Sequence, residues 1–417
     1  MPLDISQLIS DAGSGDIDAQ LQLADLYESG FGVPVDLAQA AYWYRKAADG
    51  GSAKAQNQLG QFFVHGKGVT QDQSRAFHWF TLSANQNQDS AQANLAWCYQ
   101  CGTGTEKDYI KAFEWYLKAA NNGHAGARYN LGYMYAHGHG TEKNYEEAFR
   151  WYARAARQGH VKAQLLGGLM CMNAQGTEQN YEQAFEWYQD AAMHGYEKAQ
   201  YNLALMYAGG HAVEQNDQQA YAWHKKSAKQ GYVKAQFNLG LLYMHGLGVE
   251  QDYGEAEKWF QMAAKQDYLK ASYQLGQIYL QGLGVQADEM KAAKFYQLAA
   301  EGNYVRAQYR LGRLYHKGIG VDRDEKTAYD WFRKAAKQGN SKAQCATAIH
   351  LAKGIGVTKD YVQAYAWMLL ANNSQNSQIK DFLSKISEKL TEYQIIEART
   401  LADKWYGEQH QLTTASE

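Results

Sequence analysis

Small and apolar residues recur along this chain at helical spacing, and the runs they form have the same length each time. The segment GYVKAQFNLGLLYMHGLGVEQDYGEAEKWFQMAAKQ, residues 231–266, carries the whole pattern. Ala235, Leu239, Leu242 and Tyr243 fall on one face of a helix predicted over Val233–His245. Gly246-Leu247-Gly248 closes it, because glycine adopts left-handed backbone angles without steric cost. Asp252 is placed to cap a second helix by accepting a backbone N–H bond. That helix carries Ala256, Trp259, Phe260, Ala263 and Ala264.

The same pattern begins at Gly15, Gly51, Asn87, Gly123, Gly159, Gly195, Gly231, Asp267, Asn303 and Gly339, a constant step of 36. A fixed period of this length predicts a helical-repeat solenoid, in which each repeat buries its apolar face only against its neighbours. All ten N-cap positions of the second helices, Asp36 to Asp360, are Asp or Asn. Two columns, Ala19 to Ala343 and Ala40 to Ala364, are Ala throughout, which lets helices approach closely. Nine of the eleven tryptophans share one column, from Trp43 to Trp367, and are expected to be core wedges between repeats.

The organisation predicted is an N-terminal capping helix at 1–14, ten repeats at 15–374, C-terminal capping helices at 375–406 and a disordered tail at 407–417. Ile5, Leu8, Ile9 and Ala12 give the first cap its apolar face, with Asp4 as its N-cap. Ile379, Phe382, Leu383, Ile386 and Leu390 form the stripe of the last caps. Thr391 and Gln394 fit a capping box for the final helix. Repeats five and six depart from the pattern: Gly167, Cys171, Ala174 and Ala212 replace Leu, Tyr and the two turn glycines. A looser joint is expected there.

The recurring motif A-x-x-x-L-G-x-x-Y…G-x-G-V…D-x-x-x-A-x-x-W-Y-x-K-A-A resembles the Sel1-like repeat of the tetratricopeptide superfamily, over residues 15–373. The resemblance implies an all-α fold, a right-handed α-α superhelix (solenoid) with helical caps. It implies work as an adaptor or scaffold that binds a partner protein or peptide in a concave groove. A second reading is a dedicated, immunity-type inhibitor of a toxin or effector, since similar repeats occur in such proteins. A third is a small-molecule binder or enzyme. It rests on a Sel1-like group linked to β-lactam binding that carries a disulfide in every repeat, and four cysteines cannot supply those disulfides.

Composition narrows the function further. The net charge of −2 gives no polyanion-binding signature, so nucleic acid is not expected as a partner. No apolar run reaches membrane-spanning length. The start, MPLDISQLISDAG, lacks a basic region followed by an apolar core, so a cytoplasmic location is expected. No P-loop, HExxH or G-x-S-x-G is present, and neither catalysis nor a cofactor is expected. Cys98 and Cys101 form a C-x-x-C without a second pair, and Cys98 is expected to be semi-buried. His65, His137 and His245 share a column but are too far apart for one metal, and His137 with His139 lacks a third ligand. No metal site is expected.

The candidate binding face lies on the first helices, which line the concave side in tetratricopeptide-type superhelices. The residue before the invariant Ala is basic from repeat five onward, and an amide often follows one turn later. This places Lys198 with Asn202, Lys234 with Asn238, Lys270 with Gln274, and Arg306 with Arg310 on one stripe. Ammonium, guanidinium and amide donors on one face suit an acidic segment or a C-terminal carboxylate. Toward the N-terminus the stripe carries Asn94, Trp97, Asn130 and Tyr133. The aromatics among them are candidate apolar anchors.

Overall fold

A computed structural model describes residues 5–371 and 377–414, with side chains through 409. Among the described residues there are 23 helices and no strand. The fold is an all-α solenoid of repeated helical hairpins. The chain divides into two compact units, Met1–Gln215 and Asn216–Glu417. Within each, consecutive helices pack in order along the chain.

The local rules read from the sequence operate in every repeat. Each second-helix N-cap from Asp36 to Asp360 accepts a backbone N–H bond, as Asp252 does from Glu255. Such a cap contributes about 1 kcal/mol. The repeat-seven helices run Val233–His245 and Tyr253–Ala264. Both alanine columns are buried; Ala40 and Ala55, for example, are fully inaccessible.

The wedge position differs from the expectation. The residue after the tryptophan is the deeply buried one: Tyr44, Phe80, Tyr116, Phe260 and Tyr296 are at most 2% exposed. Its ring lies on the glycine of the Leu-Gly pair in the same repeat, where a Cβ at Gly60 would stand 2.6 Å from Phe80. The tryptophans sit one helical step round. Trp151, Trp187 and Trp367 are buried, but Trp43, Trp79, Trp115, Trp223, Trp259 and Trp331 are half-exposed. Several carry a cation from the next turn on their face, such as Lys118 at 3.8 Å from Trp115.

A buried glutamine column adds polar coupling between repeats. Gln20 donates Nε2 to the Ala12 carbonyl of the N-terminal cap, and Gln56, Gln92, Gln164, Gln200, Gln236, Gln308 and Gln344 each donate to a carbonyl at the end of the preceding repeat, as Gln56 does to Ala48 at 3.1 Å. In several repeats the last residue of the same repeat answers: Gln338 donates to Gln308 Oε1 at 2.8 Å, and Gln266 to Gln236 at 2.8 Å. Every buried amide so satisfied contributes about 1 kcal/mol.

The second glycine of each turn closes the inter-repeat contact. A Cβ on Gly68, Gly104, Gly140 or Gly320 would stand 2.0–2.1 Å from a carbonyl oxygen at the start of the preceding repeat's second helix. Repeat six breaks this rule with Ala212, held at φ 62°. Ala212→Gly is expected to raise the unfolding free energy by about 1 kcal/mol. Urea denaturation checks it; an unchanged midpoint would mean the local backbone has already relaxed around the methyl.

The ends are capped. At the N-terminus Ala12 is buried and Leu8 packs beside Ala19 and Leu23, in a helix of Ile5–Ser14. The proposed N-cap Asp4 lies outside the described residues. At the C-terminus Thr391 N–H donates to Gln394 Oε1 at 3.0 Å, and Gln394 N–H to Thr391 Oγ1 at 3.3 Å, a reciprocal capping box. The helix it starts, Glu392–Thr414, continues through the segment expected to be a disordered tail from 407. The reason is Gln409, which donates to the Ala336 carbonyl at 3.1 Å and so continues the glutamine column beyond the last repeat. Trp405 stacks on Trp367 at 4.3 Å. Residues 415–417 lie outside the described range.

Candidate functional site

Of the hollows that open on first helices, two hold residues of the candidate stripe, one in each compact unit. The C-terminal one, about 460 Å3, is lined by Tyr273, Arg306, Tyr309, Arg310, Asn340, Ser341 and Lys342. It joins three successive first helices: Leu269–Gln281, Val305–Lys317 and Ser341–Lys353. The 36-residue step sets Arg306 and Lys342 in the same column on adjacent helices. Arg310 lies one turn along from Arg306 and is half-buried, with Tyr273 on the wall beside it.

Several cations of the second helices are paired locally, as in Arg150 with Glu146 and Glu147, Lys258 with Glu255, and Lys291 with Asp288, and others lie on tryptophan rings, as Lys118, Lys226 and Lys334 do. Lys54, in the same column as Lys342, is paired with Asp25 at 2.9 Å. Among the described residues, Lys198, Lys234, Lys270, Arg306, Arg310 and Lys342 have no carboxylate within 4.0 Å. The first helices of repeats six to nine also lack a side-chain cap hydrogen bond, since Tyr196, Tyr232, Tyr268 and Tyr304 stand at the N-cap. In repeats seven to nine the first turn also carries no acidic residue that would offset the positive end of the helix dipole.

Of the residues singled out from sequence, Arg306 and Arg310 are brought into the hollow. Lys234 and Lys270 are exposed on preceding helices of the same unit, with Asn238 and Gln274 half-buried beside them. Lys198 is exposed and Asn202 half-buried in the N-terminal unit. Tyr273, Tyr309 and Lys342 complete the hollow. The tyrosines are the members that sequence reading missed, because their column is aromatic in many repeats and reads as core.

The N-terminal hollow, about 420 Å3, is lined by Gln61, Val64, His65, Phe80, Asn94 and Trp97. It unites Asn94 and Trp97, and Trp97 is 37% exposed. The Asn94 amide is partly committed, donating to Asn57 Oδ1 at 2.8 Å. Tyr133 does not join this hollow; its ring stacks on His137 at 4.1 Å. Asn130 is half-buried and likewise lines neither hollow.

Cys98 and Cys101 form no disulfide. Cys98 is fully buried rather than semi-buried, and burial pushes its thiol up to about 12. Cys101 is exposed, and both thiols are free.

A helical-repeat scaffold with a basic, tyrosine-walled hollow on its first helices is the class these features define. The Sel1 repeat model matches ten times between residues 17 and 376, and the chain belongs to the Sel1 repeat family. Proteins of this family generally mediate protein–protein interaction and are typically non-enzymatic. Two solved structures are similar. One is c5321, described as a protective antigen present in uropathogenic Escherichia coli strains displaying an SLR fold. It is 34% identical over 98% of this chain and 89% of its own, with a TM-score of 0.86. The other is a Sel1 repeat protein from Oxalobacter formigenes, 34% identical over 72% of this chain and 87% of its own, with a TM-score of 0.58. No curated protein matches the chain. No helix among the described residues is long and apolar enough to cross a membrane.

Proposed function

We propose that this protein is a scaffold that takes an acidic segment, or a C-terminal carboxylate, of a partner protein on the first-helix face of repeats eight to ten. The observation that carries the reading is the convergence of Arg306, Arg310 and Lys342, none with a carboxylate within 4.0 Å among the described residues, on one hollow walled by Tyr273 and Tyr309. Guanidinium groups bind carboxylates through paired N–H donors, and tyrosine rings supply contact area at low entropic cost. Lys270 and Lys234 extend the same charge along the preceding repeats. Trp97 and Asn94 offer a separate apolar anchor in the N-terminal unit.

The test pairs partner capture with defined peptides. Wild type is expected to retain acidic peptides with a free C-terminus, and Arg306→Glu/Arg310→Glu to weaken them at least tenfold, the loss expected when a desolvated charge pair is broken. Amidating the peptide separates terminal from side-chain carboxylate recognition. Retention of the same partner by the charge-reversed variant, with its helices intact by circular dichroism, would remove this face from the function.

A further inference from the structure

We infer that His316, Glu325 and His350 form a binding site for one divalent transition-metal ion of the zinc class, joining repeat nine to repeat ten. Their ligand atoms lie within 4.8 Å of one another. His316 and Glu325 are in hydrogen-bond contact at 2.7 Å, and the two imidazole rings stand 5.3 Å apart. The residues come from three consecutive helices, Val305–Lys317, Glu325–Lys337 and Ser341–Lys353.

The repeat itself argues that His350 is not there for the fold. At its position the other nine repeats carry an apolar side chain or cysteine, Phe62, Met134, Ile278 and Leu314 among them. Only repeat ten buries an imidazole there, at 3% exposure. Burying a polar ring where an aliphatic one packs costs stability unless the ring is used. Its Nδ1–H donates to the Ile355 carbonyl at 2.9 Å, which fixes the tautomer and leaves Nε2 with its lone pair. The carboxylate is oriented in the same way: Arg323 holds Glu325 Oε1 with two N–H bonds, at 2.6 and 3.0 Å, and Oε2 turns to His316.

The fit to a dication is close. Tetrahedral zinc, with bonds of 2.0–2.1 Å, needs ligand atoms about 3.3 Å apart. His316 and Glu325 keep 39% and 22% of their side chains exposed, so they can close onto the fixed His350. Tyr329 and Phe332 flank the His350 ring. The exposed side leaves room for water as a fourth ligand. One carboxylate set against Arg323 and Lys353 is too little negative charge for a hard cation. Two imidazoles favour zinc over calcium or magnesium.

The experiment titrates the full chain, free of any histidine tag and stripped by chelator, with Zn(II) alone. Calorimetry and thermal unfolding are read in parallel. One equivalent is expected to bind saturably and raise Tm. His350→Leu, which restores the repeat's own residue type, is expected to abolish both effects, and Glu325→Gln to weaken binding at least tenfold. His137→Ala should change neither, and Ca(II) at the same concentration should not bind. Absence of saturable Zn(II) binding to wild type, unchanged binding in His350→Leu, or equal binding of Ca(II) would overturn the assignment. If His350→Leu does not fold, His316→Gln at the surface decides it, and unchanged affinity there would be equally fatal.

Discussion

Gly248→Ala is expected to destabilise the C-terminal compact unit by about 3 kcal/mol, while Gly246→Ala, two residues away, costs about 1 kcal/mol. Both glycines have left-handed φ, 69° and 68°. The conformational cost of a methyl is therefore the same at the two sites. The surroundings differ. At Gly246 a Cβ would meet the Gln251 Cβ at 3.3 Å, a contact that a small shift of the turn within the same repeat can relieve. At Gly248 it would stand 2.0 Å from the Asp217 carbonyl oxygen, in the backbone of the preceding repeat. No rotamer relieves that, so the two repeats must part, and the packing between them is lost along with the turn. Urea denaturation of the two variants side by side decides it. Equal midpoints would mean that φ alone governs these turns and that the close approach carries no energy.

Much of this was legible in the chain. A 36-residue period with a capping residue, a glycine turn and fixed alanines leaves one architecture open, and helix boundaries such as Val233–His245 followed directly. What escaped the reading was depth and reach. Trp259 and Phe260 are neighbours in a helix, both apolar, and one residue is a rotation of only 100°. Which ring goes under depends on the glycine it meets, here Gly240, and periodicity alone does not rank them. The basic stripe was visible as a column, but neutralisation was not: Lys54 and Lys342 look alike in sequence, and only the fold brings Asp25 to the first. Histidines were weighed by shared column and by nearness in sequence, and His316, Glu325 and His350 satisfy neither. The available signal was a column that is otherwise apolar or cysteine and holds one histidine. The glutamine column from Gln20 to Gln344 had the mirror-image signal, a polar residue repeated beside an invariant buried alanine.

The same column logic gives the largest expected effect of pH. In the wedge position eight repeats carry Tyr or Phe and repeat ten carries Met368, but repeat six carries His224. It is 2% exposed, and burial pushes its imidazole down to about 4 from an ordinary value of 6.5. The folded state therefore holds this ring neutral over a range in which the unfolded chain protonates it. Stability from this residue is present in full above pH 6.5, declines as pH falls from 6.5 toward 4, and has no more to lose below that. The difference amounts to about 3 kcal/mol. Burial lowers the imidazoles of His124, His160 and His350 as well, so all four slopes have the same sign. His124 and His160 add a local cause, because each accepts a backbone N–H bond at a helix N-cap through Nδ1, which protonation would end. Unfolding free energies measured from pH 7 to pH 4 are expected to fall steeply for wild type. His224→Phe, which supplies the ring other repeats use, is expected to remove the larger part of the decline and leave the shallower slope of the remaining three. If His224→Phe keeps the full acid slope, the loss arises elsewhere, and the imidazole at the wedge is not held neutral by its burial.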